Sequence, residues 1–151
     1  MGTEASTAEH TGGNAESPPE YRVPPPDEVT AGWWDATRER RLVVQRCLDC
    51  AHLQHYPRAL CTACGKTSLE FTDVSGRGRI DTYSVTHRAP RPDLTPPYVV
   101  ARVRLAEGPV LLTNIVDCPL DRLACDLPVV LAWRPLPDGR ALPVFRPDPD
   151  A

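Results

Sequence analysis

The sequence predicts a mainly β fold made of one N-terminal helix, a small metal-binding ribbon and a closed barrel of about five strands. Three observations predict it. Four cysteines fall in two close pairs, Cys47-Leu48-Asp49-Cys50 and Cys61-Thr62-Ala63-Cys64. A stretch bearing Trp33 and Trp34 precedes them with helical spacing. After Leu69 the chain turns into short runs rich in Val, Ile, Thr and Leu, separated by turns that contain Gly and Pro.

The cysteines read C-x2-C-x10-C-x2-C. Each pair can wrap one side of a single ion, and the intervening loop is long enough to bring the second pair round to face the first. Four thiolates suit tetrahedral Zn2+, which then has no open position for chemistry, so the expected role of the ion is structural. Iron in the same cage would make a coloured electron carrier. Two disulfides or four free thiols are the metal-free alternatives.

The totals bound the rest. The chain has 151 residues, 41% of them hydrophobic, which allows one domain or a small domain with an appendage. No run is long enough to span a bilayer, and the start lacks a basic-then-apolar signal pattern, so a soluble cytoplasmic protein with reduced thiols is expected. The formal net charge of -3 argues against broad coating of nucleic acid. Lys66 is the only lysine, and the 18 prolines and many alanines and arginines suit a GC-rich genome such as an actinobacterium's.

Residues 1–26 hold Gly, Ser, Thr, Glu and the run Pro24-Pro25-Pro26, and read as a disordered tail or linker. Residues 27–68 are expected to hold the helix and the ribbon. Thr30 is placed to cap a helix carrying Trp33, Trp34, Thr37, Arg38 and Arg41 at helical spacing. The tryptophans either anchor that helix on the core or meet a partner, since Trp is enriched at interface hot spots. Leu42 to Arg46 reads as a strand entering the first cysteine pair, and Gly65 supplies a flexible backbone after the second. Around the ribbon, Arg38, Arg40, Arg41, Arg46, Arg58 and Lys66 outnumber Glu39 and Asp49.

Residues 69–147 are expected to form the barrel, with 148–151 a short tail. The expected strands are Leu69–Val74, Arg79–His87, Tyr98–Leu105, Val110–Val116, Val129–Trp133 and Leu142–Phe145. In the second of these, Ile80, Thr82, Ser84 and Thr86 alternate against Tyr83 and Val85. Ser75-Gly76-Arg77-Gly78, Ala106-Glu107-Gly108-Pro109 and Pro137-Asp138-Gly139 have turn composition. Short strands joined by such turns suggest closure. Residues 89–97 carry four prolines and read as a stiff exposed loop.

Taken in order, the Trp-bearing helix, RLVVQRCLDC, YPRALCTACG, VSGRGRIDTYSVTHRAP, PPYVVARVRL, GPVLLTNIVDC and DGRALPVFRP resemble the acyl-CoA-associated family that joins a rubredoxin-like zinc ribbon to an OB-fold, domain of unknown function thirty-five. The resemblance spans about residues 30 to 147. It implies Cys47, Cys50, Cys61 and Cys64 as ligands of one zinc. It further implies a small non-catalytic accessory subunit in a hetero-oligomer with a thiolase-superfamily enzyme, some members being associated with MaoC-type hydratases. Similar domains pair with thiolase-like aldolases in steroid side-chain degradation, so the expected function is support of retro-aldol C–C cleavage of an acyl-CoA by a partner.

Few residues suggest chemistry of the chain's own. His87, beside Arg88 at a strand end, is the best candidate for a partner or ligand contact, although such a histidine is commonly a loop anchor. His52 and His55 lie in the ribbon loop, where four cysteines already complete a zinc shell. His10 falls in the tail. Cys118 and Cys125 have no local base and read as buried free thiols. No phosphate-cradling glycine motif occurs. A single-stranded nucleic-acid module is the alternative function, since OB sheets bind such strands through aromatic platforms and basic grooves, but aromatics make up only 6% of residues.

Overall fold

The computed structural model describes residues 23–151. Most of the expected tail, residues 1–22, lies outside the described residues. The first helix, α1 (Ala31–Arg38), is one face of a small aromatic core; it stops short of Arg41, which the expected helix included, because the chain turns at Arg40 (φ 59°). Thr30 occupies its N-cap position, but its hydroxyl makes no cap bond. Asp27 organises the entry instead: its Oδ1 accepts the Val29 and Thr30 backbone N–H and the Thr30 hydroxyl at 3.0, 2.8 and 2.7 Å. An Asp side chain bonding the backbone two and three residues on forms such a turn without needing a capping threonine.

Three strands make the ribbon sheet: β1 (Val43–Cys47), β2 (Leu53–Gln54) and β3 (Leu69–Asp73), in the order β2-β1-β3. This corrects the expectation that the strand beginning at Leu69 opens the barrel. It runs antiparallel to β1 from Val43↔Asp73 to Cys47↔Leu69. Its alternation alone does not choose a neighbour, and β1 has an edge that only β3 covers.

The barrel is formed by β4 (Arg77–Thr86), β5 (Tyr98–Leu105), β6 (Val110–Ile115), β7 (Pro128–Pro135) and β8 (Ala141–Pro147), closed in the order β4-β5-β6-β8-β7. Its interior takes Ile80 from β4, the odd-numbered residues Val99 to Leu105 of β5, Leu111 and Ile115 of β6, Val129 of β7 and Phe145 of β8. A second correction concerns β4. The register slips between Ile80↔Val103 and Thr82↔Arg102, so Asp81 is an extra residue. A bulge of this kind shifts the alternation by one. Ile80, Tyr83 and Val85 therefore join the core together. Asp81 turns outward to Arg104 Nη2 at 2.6 Å and Arg102 Nε at 3.5 Å.

Two hydrophobic clusters meet at β1. Val43 packs with Trp33, Trp34, Ala36 and Leu136, while Val44, fully buried, packs with the barrel residues. Adjacent residues of a strand face opposite sides, so one strand stitches helix to barrel. Arg140 reinforces the seam from β8's side. It is 3% exposed, pairs with Asp138 Oδ2 at 2.6 Å, donates to the Pro24 carbonyl at 2.9 Å, and lies 4.4 Å from the Trp34 ring centroid. The guanidinium thus has a carboxylate, a carbonyl and an aromatic face, which together compensate its burial.

Gly78 sits where β4 pairs with β5 on one side and β7 on the other. A Cβ there would lie 2.7 Å from the Arg104 carbonyl oxygen and 2.8 Å from Val103 Cγ1. Backbone cannot yield as a side-chain tip can, so Gly78→Ala is expected to destabilise the barrel by about 2–3 kcal/mol. Thermal unfolding of the variant should show a clear drop in midpoint; an unchanged midpoint would mean that the strands do not approach this closely.

Candidate metal centre

The two cysteine pairs form matching knuckles. In the first, Cys47 N–H donates to the His52 carbonyl at 2.9 Å and Ala51 N–H donates to the Cys47 carbonyl at 2.9 Å. In the second, Cys61 N–H donates to the Lys66 carbonyl at 2.8 Å and Gly65 N–H to the Cys61 carbonyl at 2.9 Å. Each knuckle then turns through a left-handed residue, Ala51 (φ 59°) and Gly65 (φ 74°). Tight turns of this kind aim both sulfurs of a pair to one side.

The four Sγ atoms lie within 4.8 Å of one another. Cys47 and Cys64 are 3.7 Å apart, and Cys50 and Cys61 3.6 Å. Zinc–sulfur bonds of about 2.3 Å require a tetrahedron edge of about 3.8 Å, so the donors fit a four-thiolate zinc. Cys47 and Cys61 are buried, Cys50 and Cys64 exposed. Backbone N–H groups of Cys64 and Ala63 pull the Cys61 thiol down to about 6. Cys50 accepts the N–H of His52, yet desolvation and the sulfurs of Cys64, Cys47 and Cys61 push it up to about 12. Four thiolates cannot share this space without a cation, so zinc would enter by displacing protons and hold less tightly as pH falls. Nearby charges are already paired: Lys66 Nζ lies 2.8 Å from Asp49 Oδ1, and Arg46 3.6 Å from Glu70.

Two buried glutamines position the second knuckle, and sequence reasoning missed them. Gln45 and Gln54 are cross-strand partners in β1 and β2. Gln54 Nε2 donates to Gln45 Oε1 at 2.9 Å and to the Leu60 carbonyl at 3.1 Å, while its Oε1 accepts Thr62 N–H at 2.8 Å. Gln45 Oε1 also accepts Arg58 N–H at 2.8 Å, and its Nε2 donates to the Arg58 carbonyl at 3.0 Å. These bonds satisfy the loop 58–62 that carries Cys61. The only sequence signal is amides on the buried face of strands, which local patterning does not interpret.

The other candidates scatter. His52 bonds Thr62 Oγ1 at 3.1 Å and is exposed. His55 packs 5.7 Å from the Trp33 ring, and burial alone lowers its pKa to about 4, so it stays neutral. Trp33 and Trp34 are each 4% exposed and are used within the chain, so neither presents a free ring outward. His87 and Arg88 are exposed just past β4 and make no hydrogen bond or ion pair among the described residues. His10 lies outside the described residues. Cys118 is half-buried, with burial raising its pKa, and Cys125 is exposed, which corrects the expectation that both are buried. On the outward faces of β5 and β6, Arg102 and Arg104 are tied to Asp81, and Tyr98 is the one aromatic, which is a poor stacking platform. No described helix is long and apolar enough to cross a membrane.

Cys61→Ser should abolish stoichiometric zinc, and hydrogen exchange should show residues 47–66 losing protection while β5 keeps its own. Zinc retained at one per chain would remove Cys61 from the ligand set. Gln54→Leu leaves the Thr62 N–H and Leu60 carbonyl without their partner and should cost about 2–3 kcal/mol, read by denaturant unfolding of the zinc-loaded protein.

Comparison with known proteins bears on this geometry. Two family profiles match: "ChsH2, rubredoxin-like zinc ribbon domain" over residues 34–70, and "ChsH2, C-terminal OB-fold domain" over residues 71–134. A DUF35 domain-containing scaffold protein of Methanocaldococcus jannaschii is 33% identical over 72% of this chain and 79% of its own length. Two hydratase subunits also match. A probable enoyl-CoA hydratase alpha subunit of Thermomonospora curvata is 42% identical over 78% of this chain, and the 3-oxo-4,17-pregnadiene-20-carboxyl-CoA hydratase alpha subunit of Mycobacterium tuberculosis 30% over 79%. This chain spans only 37% and 38% of those two proteins. Among solved structures, a chain of an "Ltp2-ChsH2(DUF35) aldolase" superposes with a TM-score of 0.76 at 40% identity, covering 83% of this chain and 98% of that one. With its four cysteines placed for one zinc ion and its five-stranded closed barrel, the chain belongs to the DUF35 family, as a rubredoxin-like zinc ribbon joined to an OB-fold of the ChsH2 type.

Proposed function

We propose that this chain is a non-catalytic accessory subunit that docks on a thiolase-superfamily aldolase and supports retro-aldol cleavage of a steroid side-chain CoA thioester. The carrying observation is its likeness, at 40% identity and a TM-score of 0.76, to the DUF35 chain of an aldolase. The steroid class draws support from the pregnadiene-carboxyl-CoA hydratase subunit among its relatives.

Retro-aldol cleavage of a β-hydroxyacyl-CoA breaks the Cα–Cβ bond. The hydroxyl proton passes to a base, the carbinol carbon becomes a carbonyl, and the thioester enolate takes a proton at Cα. That chemistry needs a base within hydrogen-bond reach of the hydroxyl and donors near the thioester oxygen. A four-thiolate zinc has no open position for that chemistry, and His87 makes no hydrogen bond or ion pair among the described residues. In this reading the reacting groups belong to the partner, and this chain contributes a docking surface. A hydratase partner, of the MaoC type, is the second reading, and the hydratase alpha subunits among the relatives favour it.

Purification of the native protein from its source, with mass spectrometry of co-eluting chains, tests the choice. The proposal expects a stoichiometric thiolase-like protein whose C–C lyase activity falls at least about tenfold without this chain. Co-elution of a hydratase and no thiolase-like protein would replace the aldolase reading with the second one. Elution with single-stranded nucleic acid, weakening steeply with salt, would overturn both.

A further inference from the structure

Above one end of the barrel, the loop between β4 and β5 meets strands β5, β6 and β7 around a cavity of about 430 Å3. Its polar lining is Arg91, Asp93, Thr95, Tyr98, Asn114 and Arg134. The two arginines are held differently. Arg91 Nη2 is held by Asp93 Oδ2 at 3.0 Å, and that carboxylate side chain is only 9% exposed. Arg134 is half-buried and has no carboxylate within ion-pair distance among the described residues; its one hydrogen bond runs from Nη1 to Asn114 Oδ1 at 3.5 Å, at the long limit. Asn114 is itself oriented by its Nδ2 donating to the Val99 carbonyl at 2.9 Å. Among the described residues the lining holds two arginines and one aspartate.

Arg140 shows how this fold treats a guanidinium withdrawn from water when nothing else is to bind it. It receives a carboxylate at 2.6 Å, a carbonyl at 2.9 Å and an indole face. Arg134 has almost none of this, although partial burial of an unpaired charge is costly. Thr95 and Tyr98 line the same cavity, and neither hydroxyl has a hydrogen-bond partner among the described residues. A planar fork of N–H donors in one cavity with two hydroxyl-bearing residues suits an anion with several oxygens on one centre.

We propose that this cavity is a phosphate-binding site centred on Arg134, with Tyr98 and Thr95 as further donors. Resting on the function proposed above, the phosphate it takes is carried by the CoA part of the thioester presented to the partner enzyme. Free phosphate or pyrophosphate shares the chemistry and is the alternative source.

The zinc-loaded full chain should be titrated calorimetrically with CoA, pyrophosphate and pantetheine. The site predicts that CoA and pyrophosphate bind, that pantetheine, which has no phosphate, does not, and that Arg134→Gln weakens both binders at least about tenfold. Tyr98→Phe, which keeps the ring and removes only the hydroxyl, should weaken them several-fold and guards against a folding defect in the arginine variant. Arg146→Gln, at an exposed arginine outside the cavity, should change nothing. Pyrophosphate binding that depends on Arg134, without CoA binding, would uphold the phosphate site and overturn its assignment to CoA, whatever partner co-purifies. No binding of either anion by the wild-type chain, or equal binding by Arg134→Gln and Tyr98→Phe, would overturn the site.

Discussion

Four sulfurs held within 4.8 Å are the constraint on which the rest of this structure depends. Residues 47–66 have little hydrophobic core of their own: Leu48 and Leu60 are 60% and 51% exposed. What fixes them is the turn geometry of two matched knuckles, the Gln45–Gln54 amide pair and the cation that four converging thiolates require. Removing the cation leaves mutual repulsion or protonated thiols where the fold has a cross-link, so metal and local structure stand or fall together.

Cys47 ends β1, and β1 transmits the constraint. Val43 is committed to the helix cluster and Val44 to the barrel cluster, so the strand that carries the first zinc ligand cannot shift without disturbing both. Arg140 closes the circuit by tying the β7–β8 turn, the Trp34 ring and the segment at Pro24. Helix, ribbon and barrel are thus joined through one strand, an arrangement that suits the accessory role proposed above.

Much of this was legible locally. Two C-x2-C pairs state a four-thiolate site because ligand spacing is fixed by backbone reach, and the turns at Gly108 and Gly139 do separate strands, although β7 and β8 run longer than expected, over Pro128–Pro135 and Ala141–Pro147. What was not legible depends on partners distant in sequence. The strand at Leu69 is a strand either way, and only the free edge of β1 assigns it to the ribbon. The bulge at Asp81 leaves composition unchanged while moving Tyr83 and Val85 to the same face as Ile80. The glutamine pair and the surroundings of Arg134 are visible only when β1 meets β2 and when the loop before β5 closes over the barrel. Trp33 and Trp34, open to two readings in sequence, pack with Val43, Leu136 and Leu142.

X-ray absorption at the zinc edge of the purified protein tests the central claim most directly. Four sulfur neighbours at about 2.3 Å, with one zinc per chain, is the result this account predicts. A first shell containing nitrogen or oxygen, or a preparation that folds fully with no zinc signal, would contradict it.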